Sequence, residues 1–270
     1  MLIEEQQFIA LKAKILKDRG LDCVQYKTKY FKRRIAVRMR SHGVESYREY
    51  MKILDSDALE YNKLMDCLTI NVTQFFRDPA TFEALEKTVL PQLVSDKQNR
   101  KGGVIRAWSA GCASGEEPYS LAILLSEVLG NKLGGFIVSI YATDIDEESL
   151  KKAERGEYEG LSIEGLKKEY LDRYFTYAGR YRVKDEIKRS VRFKRHDLIS
   201  ENALTHFDII LCRNALIYFS RDMQEKLFTQ FHQGLDKGGY LVIGKTETLT
   251  VEAMKMFRAI DVRERIYQKL

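Results

Sequence analysis

Several features that define whole classes of protein are missing from this 270-residue chain. No stretch approaches the roughly 18 consecutive apolar residues of a membrane-spanning helix, so we expect no insertion into a membrane. The first residues, Met1 to Glu5, carry neither the basic flank nor the apolar core of a secretory signal. We therefore expect a cytoplasmic protein.

Cysteine is scarce, and its spacing excludes two further classes. The four cysteines lie far apart, form no Cys-x-x-Cys pair and have no histidine at a zinc-ligand spacing. We predict no metal site and no disulfide framework, and we interpret the cysteines as small buried residues in a reduced compartment. The four histidines are scattered, and we interpret them as structural or surface residues.

The composition that is present is typical of a soluble globular protein. Hydrophobic residues make up 44% of the chain and charged residues 31%, which provides both a core and a solvated surface. At about 100 to 200 residues per domain, the length accommodates one large domain and one smaller domain.

Positive charge is concentrated near the N-terminus. Seven bases and no acid occur between Val24 and Arg40, and these seven exceed the net charge of +6 of the whole chain. Phe31, Ile35 and Met39 recur at helical spacing in this segment and predict an amphipathic helix with cationic ridges. Charge alone leaves three interpretations open: a solvated face, a nucleic-acid surface, or a docking surface for an acidic protein helix.

The sequence pattern divides the chain into three regions. Residues 1–70 contain no proline and space their apolar residues by three and four, which predicts a small all-helical domain. A linker and a connecting helix are predicted over 71–103, where Asp78-Pro79 is typical of a helix start. Over 104–270 β-rich runs alternate with helical stretches, which predicts a doubly wound, mostly parallel sheet.

The alternation defines the elements of this third region and one interruption. The predicted strands are 104–108, 136–143, 207–212 and 239–244, and the predicted helices are 117–129, 147–155 and 221–235. Residues 158–194, approximately, break the pattern with a helical piece at 163–174 and short β-like runs at 181–183 and 191–193. This stretch predicts an inserted small β-subdomain.

A small-residue turn follows the first predicted strand. The run from Ala110 to Gly115 lets the backbone approach a ligand and points the N–H groups of the next helix toward it. The second predicted strand ends near Asp144, where an acid can accept hydrogen bonds from ribose hydroxyls. Together the two features predict a nucleoside-binding half-fold.

The charge of this turn distinguishes between two cofactors. A strict Gly-x-Gly-x-x-Gly fingerprint is absent, and the turn carries the adjacent acids Glu116 and Glu117. A negative turn suits a pyrophosphate poorly, but it suits the cationic sulfonium and amine of S-adenosylmethionine. The pattern therefore favours S-adenosylmethionine over NAD.

Four separated blocks resemble the chemotaxis receptor methyltransferases, the CheR family of glutamate O-methyltransferases. The blocks are NVTQFFRD at 71–78, the run from Trp108 to Tyr119, ATDID at 142–146 and CRNALIYF at 212–219. The resemblance covers nearly the whole chain. It implies an α/β, Rossmann-like methyltransferase domain preceded by an all-α domain, with glutamate methyl esters and S-adenosylhomocysteine as products.

Carried over position by position, the resemblance implies a cofactor site. Its predicted members are Asn71, Thr73, Arg77, Ala110, Glu116, Asp144, Asp197, Leu198, Arg213 and Asn214. Asp144 would hold the ribose. Asp197 stands where the family usually has an asparagine beside the adenine, and an aspartate can accept a hydrogen bond there but cannot donate one.

The implied reaction needs no general base. A glutamate side chain, with an ordinary pKa of roughly 4.3, is already ionised near neutral pH and can attack the sulfonium methyl directly. The protein must supply in-line approach, exclusion of water and a cation that orients the carboxylate. We predict that Arg77 positions the carboxylate and that Tyr218 lines the methyl-transfer path.

The resemblance also implies a partner. It favours docking of the basic helix on the acidic cytoplasmic helical bundle of chemotaxis receptors, with Arg34 and Arg38 as the predicted contacts. Some family members bind a receptor pentapeptide through a loop containing Gly-x-Gly, but the stretch 177–181 is too short for that loop. We therefore predict a monomer that uses no pentapeptide tether and binds no nucleic acid.

Two alternative functions stay open. One is a nucleic-acid methyltransferase that uses the basic helix on phosphates, although the block at 212–219 lacks an Asn-Pro-Pro-Tyr type signature and no aromatic-interleaved basic stretch suggests base stacking. The other is a non-catalytic adaptor that binds the cofactor or the receptor without turnover.

Overall fold

The computed structural model describes residues 2–69, 73–98, 103–202 and 204–270. It divides into two compact units. The first comprises Met1–Asn71 and Tyr218–Met223, and the second comprises Val72–Ile217 and Gln224–Leu270. In the described ranges, no helix has both the length and the apolar character required to cross a membrane.

The described part of the first unit contains four α-helices: α1 (Leu2–Arg19), α2 (Thr28–Ser41), α3 (Tyr47–Ser56) and α4 (Ala58–Leu68). The side chain of Ser46 accepts a hydrogen bond from the backbone N–H of Glu49 and starts α3 as a capping box, and the side chain of Asp57 caps the start of α4. Phe31, Ile35 and Met39 of α2 are buried, as predicted from their spacing.

A short segment from late in the chain belongs to this first unit. Tyr26 and Phe219 form an isolated antiparallel bridge. The backbone N–H of Lys27 donates to the carbonyl oxygen of Tyr218 at 2.8 Å, and that of Ser220 donates to Gln25 at 2.7 Å. The sequence pattern gives no indication of this pairing, since it joins residues nearly two hundred positions apart.

The second unit is an α/β structure, which confirms the predicted fold class. Its helices are α5 (Pro79–Ala84), α6 (Leu90–Gln98), α7 (Glu116–Leu129), α8 (Glu147–Arg155), α9 (Lys168–Tyr174), α10 (Asp185–Lys188), α11 (Arg221–Gly234, whose first turn lies in the first unit) and α12 (Val251–Met254). Its strands are β1 (Gly103–Ala110), β2 (Phe136–Asp144), β3 (Glu157–Tyr158), β4 (Phe175–Tyr177), β5 (Tyr181–Val183), β6 (Val191–Arg195), β7 (Phe207–Cys212), β8 (Leu235–Ile243), β9 (Phe257–Asp261) and β10 (Ile266–Lys269).

Seven strands form the main sheet in the order β6-β2-β1-β7-β8-β10-β9. The pairs from β6 through β8 are parallel, and β10 runs antiparallel to both of its neighbours. β1 and β7 are nearly continuous in buried residues, which is typical of parallel strands covered on both faces. Because parallel strands end at one edge, the turns after β1, β2, β7 and β8 lie side by side.

The structure differs from the sequence pattern in the arrangement of several short strands. Val191–Arg195 pairs with β2 at the edge of the main sheet, although the pattern places these residues in the inserted stretch. The inserted small sheet contains β3, β5 and β4 only. The antiparallel pair β9–β10 was not predicted, because its strands are short and half exposed.

Candidate active site

The turn after β1 requires glycine at two of its positions. Gly111 and Gly115 have φ angles of 79° and 96°, which glycine adopts without strain. The N–H groups of Gly111 and Cys112 both donate to the carbonyl oxygen of Thr143, at 2.8 and 2.9 Å. A Cβ atom on Gly115 would lie 2.8 Å from the Cβ of Ala153. The turn is therefore fixed against the end of β2.

Asp144 ends β2 and faces this turn. One carboxylate oxygen accepts a hydrogen bond from the N–H of Ala113 at 2.8 Å, and the other accepts from the N–H of Asp146 at 3.0 Å. Burial raises the pKa of this carboxyl group, and the two backbone donors oppose the increase. Each oxygen keeps a second lone pair, so the carboxylate can still accept from the hydroxyls of a ribose.

Two glutamates begin α7, one buried and one half-buried. Glu116 has no solvent exposure, and its carboxylate accepts hydrogen bonds from Ser114 at 2.8 and 3.0 Å and from Ser162 at 3.1 Å. Glu117 accepts from Ser109 at 2.7 Å and from the guanidinium of Arg213 at 3.4 Å. Burial raises the pKa of both glutamates. Negative charge at a helix N-terminus is electrostatically favourable, which compensates part of the cost of burial.

Arg213 connects this helix start to the predicted linker. Its Nη2 donates to the carbonyl oxygen of Arg77 at 2.7 Å and to the carboxylate of Asp78 at 2.9 Å. The guanidinium also lies over the ring of Phe82, 5.3 Å from its centroid. Its Nε is buried, and the described residues offer it no hydrogen-bond partner.

The segment around Arg77 is held in a strained conformation. Phe76 and Asp78, on either side of Arg77, have φ angles of 50° and 59°, which are costly for residues with a side chain. The N–H of Phe76 donates to the hydroxyl of Ser120 at 2.9 Å. Arg77 is half-buried, and its positive charge opposes the increase in the pKa of Glu117. The fold therefore brings Arg77 close to Glu117 at the start of α7.

Four other predicted cofactor residues differ in their burial and position. Ala110 is fully buried at the end of β1, Thr73 is half-buried, and Asn71 lies outside the described residues. Asn214 follows Arg213 with a φ angle of 61°.

The side chain of Asp197 forms hydrogen bonds within its own turn. Its carboxylate accepts hydrogen bonds from the N–H of Ile199 at 2.9 Å and from the hydroxyl of Ser200 at 2.7 Å. The neighbouring Leu198 is buried. The N–H of His196 donates to the carbonyl oxygen of Asp144 at 3.0 Å, which brings this turn to the end of β2. Asp197 is thus beside the predicted ribose residue, and although each of its oxygens has one local donor, each keeps a second lone pair.

The predicted docking residues and Tyr218 all lie in the first unit. The ring of Tyr218 packs on that of Tyr30 with centroids 4.7 Å apart. Arg34 stacks its guanidinium over Tyr30 at 5.7 Å. Arg38 is engaged within the unit, because its Nε donates to the buried carboxylate of Glu60 at 3.0 Å and its Nη2 contacts the other oxygen.

Comparison with known proteins identifies the family. A family model described as CheR methyltransferase, SAM binding domain, matches residues 71–266, and one described as CheR methyltransferase, all-alpha domain, matches residues 6–69. The chain belongs to the CheR methyltransferase family. A chemotaxis protein methyltransferase of Listeria monocytogenes is 36% identical over 91% of both chains.

Two further relatives of this CheR-family chain carry similar names. A chemotaxis protein methyltransferase 1 of Pseudomonas aeruginosa is 37% identical over 78% of both chains. A chemotaxis protein methyltransferase of Vibrio parahaemolyticus is 41% identical over 69% of this chain and 68% of its own length. The chain is thus an S-adenosylmethionine-dependent methyltransferase, which confirms the cofactor predicted from the turn.

The residues present in this CheR-family site fit that cofactor. The cofactor is cationic at its sulfonium and amine, and the turn offers the acids Glu116, which is buried, and Glu117, which is half-buried. Asp144 keeps acceptor capacity for a ribose, and Arg213 keeps a buried donor that the described residues leave unpartnered. Gly111, at a φ of 79°, has a backbone conformation that side chains rarely adopt, and its backbone is left uncovered by a side chain of its own.

Sequence reasoning missed several residues that organise the site. The partners of the predicted residues are Ser109, Ser114, Ser162, Asp78 and Glu247. Asp78 and Ser109 lie within the blocks that carry the family resemblance, so their position was a usable signal. Ser162 and Glu247 lie outside those blocks and become neighbours only through the fold.

Proposed function

We propose that this methyltransferase transfers the methyl group of S-adenosylmethionine to glutamate side-chain carboxylates of chemotaxis receptors. The observation that carries the proposal is that ionisable groups around the turn are engaged with partners and are not placed to act as a general base. Glu117 accepts hydrogen bonds from Arg213 and Ser109, and His196 contacts Glu201 at 3.1 Å. An acceptor that arrives already ionised requires no proton to be removed, and a glutamate carboxylate meets that condition near neutral pH.

In the proposed reaction the cofactor and the protein's residues have separate roles. The bound cofactor supplies an electrophilic methyl group on its sulfonium. Glu116, Glu117 and Asp144 provide the negative surroundings that hold a cationic ligand. Arg77, bracketed by two strained residues, orients the incoming carboxylate and keeps its charge at the site. Tyr218 keeps its predicted role along the methyl-transfer path on the strength of its sequence block.

The basic helix α2 supports docking on an acidic receptor. Lys29, Arg33 and Arg40 are exposed and share one side of the helix. The predicted contacts Arg34 and Arg38 lie on the other side of the helix, where Arg34 is half-buried and Arg38 pairs with Glu60, so the exposed trio offers a separate cationic surface. Acidic receptor bundles would meet this surface with complementary charge, mainly increasing the rate of association. In this proposal the enzyme acts in the cytoplasm as a monomer.

The hairpin between β4 and β5 supports the proposal that no pentapeptide tether is used. Residues 178–180 close it, and the N–H of Ala178 donates to the carbonyl oxygen of Arg180 at 3.0 Å. A hairpin closed this tightly has no Gly-x-Gly loop for a peptide. Titration calorimetry with a receptor C-terminal pentapeptide should give no heat of binding, and micromolar binding would overturn this part of the proposal.

The central test is a methylation assay. Full-length enzyme, radiolabelled S-adenosylmethionine and a receptor cytoplasmic fragment should give methyl esters that base releases as methanol. A fragment with its methylated glutamates replaced by glutamine is the matched control and should take up no label. Label that resists base, or label transferred to an oligonucleotide, would refute glutamate esterification, and cofactor binding without transfer to any of several receptors would favour the adaptor.

A further inference from the structure

A carboxylate outside the family blocks lies at the centre of the loop that carries Arg213 and Asn214. Glu247 follows β8 and is only 4% exposed. Its Oε2 accepts hydrogen bonds from the N–H of Gly244 at 2.6 Å and of Asn214 at 3.1 Å. Its Oε1 accepts from the N–H of Ile217 at 3.2 Å. One side chain thus clamps the turn after β7 to the turn after β8, and we call this arrangement the Glu247 clamp.

The geometry of the two turns explains why a single residue can connect them. Cys212 and Ile243 are paired at the ends of the parallel strands β7 and β8, so both turns begin at the same level. A Cβ atom on Gly244 would lie 2.8 Å from the nitrogen of Asn214 and 2.8 Å from Oε2 of Glu247. Glycine at this position permits the contact, and the turns touch backbone to backbone.

The Glu247 clamp is stronger with an ionised acceptor than with a neutral one. All three donors are backbone N–H groups, which can only donate, and hydrogen bonds to a charged acceptor are stronger than neutral ones. Burial raises the pKa of Glu247, and the backbone donors oppose that increase. The same N–H groups would be buried without a partner if the carboxylate were absent, which is costly.

The Glu247 clamp also fixes a strained residue. Asn214 holds a φ angle of 61°, which a residue with a side chain adopts at a cost unless its surroundings impose it. Its N–H is held by Glu247, and the preceding Arg213 reaches Arg77 and Asp78. The direction in which the chain leaves Arg213 therefore depends on Glu247.

We infer that Glu247 is a positioning residue for cofactor binding: it imposes the backbone conformation that presents Arg213 and Asn214. The inference rests on the proposed roles of Arg213 and Asn214 as cofactor-binding residues. It does not depend on which acceptor is methylated.

The test replaces Glu247 by glutamine and measures binding of S-adenosylhomocysteine by calorimetry, with no receptor present. Glutamine keeps the size, but one of its two terminal atoms becomes an NH₂ group that faces N–H donors. We expect affinity to fall by about tenfold or more, since small misplacements of a site cost that much. Glu247→Asp, which stays ionised, should recover part of the lost affinity.

Asp208 supplies a matched control. It is 5% exposed, accepts a hydrogen bond from the N–H of Arg106 at 2.9 Å, also forms an ion pair with Lys97, and lies at the start of β7, away from the turns. Asp208→Asn makes the same change of acid to amide at a buried backbone contact of the same sheet. We expect it to lower the melting temperature while leaving S-adenosylhomocysteine affinity within about twofold of wild type.

The outcomes separate a positioning role from a structural one. The two variants are compared at a similar loss of melting temperature. The inference is supported if Glu247→Gln then loses more affinity for S-adenosylhomocysteine than Asp208→Asn does. It is overturned if Glu247→Gln binds like wild type, or if both variants lose affinity in proportion to stability. Because the measurement uses only enzyme and S-adenosylhomocysteine, a failure of the glutamate-receptor proposal would leave this result unaffected.

Discussion

The guanidinium of Arg213 donates to the backbone carbonyl oxygen of Arg77 at 2.7 Å, joining the end of β7 to a segment 136 positions earlier in the chain. Arg77 is thereby held in place through its main chain. The same Nη2 also binds Asp78 at 2.9 Å. One arginine thus fixes the segment in which we place a catalytic residue.

Arg213→Lys should therefore impair the enzyme although it keeps the charge. A lysine cannot reproduce the planar fork that contacts a carbonyl oxygen, Asp78 and Glu117 together. We expect S-adenosylhomocysteine affinity to fall by about tenfold or more, measured by calorimetry. An affinity equal to that of wild type would show that charge alone suffices at this position.

Arg77→Ala should reduce turnover more than it reduces folding stability. Its guanidinium is proposed to orient the acceptor, and losing one such charge-assisted contact costs about 10- to 100-fold in kcat/KM. The methyl-ester assay and a thermal unfolding curve measure the two effects. Equal losses in both would make Arg77 a structural residue.

Tyr218→Phe tests the second predicted catalytic residue. The ring should keep its packing against Tyr30, 4.7 Å away, so the melting temperature should stay close to that of wild type. If the hydroxyl lines the methyl-transfer path, turnover should fall by about tenfold or more. Wild-type turnover at unchanged stability would remove Tyr218 from the catalytic residues.

Gly115→Ala should damage the cofactor turn severely. The new Cβ would lie 2.8 Å from the Cβ of Ala153 and 2.9 Å from the hydroxyl oxygen of Tyr158, in addition to the strain of a φ of 96°. Backbone strain of about 1–2 kcal/mol and overpacking of about 1–3 kcal/mol should add. Denaturant unfolding measures the sum. Gly179→Ala, at φ 79° with no atom within 4 Å of the new Cβ, should show only the strain. Equal losses in the two variants would mean that Gly115 has room for a methyl group.

Glu60 should make the first unit sensitive to acid. Burial opposes ionisation of Glu60, but hydrogen bonds from Arg38, Tyr50 and His42 outweigh it and lower its pKa to about 2 from the ordinary value of 4.5. A depressed folded-state pKa contributes stability above the unfolded-state pKa, and that contribution is lost as the pH falls from 4.5 toward 2. Urea unfolding across this window should show the loss, and Glu60→Gln should be less stable at pH 7 and should lack this part of the pH dependence. An unchanged profile in Glu60→Gln would exclude the cluster as its source.

A charge reversal tests the docking surface. Arg33→Glu combined with Arg40→Glu should raise the KM for a receptor fragment, most at low salt, while leaving the melting temperature nearly unchanged, because both side chains are exposed. Lys226→Glu combined with Lys237→Glu changes the net charge equally at exposed positions of the second unit and is the control. Equal effects of the two double variants would indicate a general charge effect and no docking site on α2.

Elements defined by local pattern were predicted well. Helices 117–129 and 147–155 and strand 207–212 coincide with α7, α8 and β7 to within one residue, because apolar periodicity and flanking turns act over a few positions. Of the helix predicted over 163–174, the structure contains only Lys168–Tyr174. Its first part forms turns, since apolar spacing alone cannot fix a boundary.

The sequence by itself determined the family, the cofactor and the residues that surround the first turn, because these depend on short blocks whose chemistry can be read in order. Only the tertiary structure decided which partners those residues have. Arg38 was predicted as a docking contact and is paired with Glu60, and Asp197 was predicted beside the adenine and caps its own turn. The role of Glu247 could not be predicted from the sequence, because its contacts depend on two parallel strands that end side by side. Such long-range contacts follow from the packing of the whole sheet, and no local pattern encodes them.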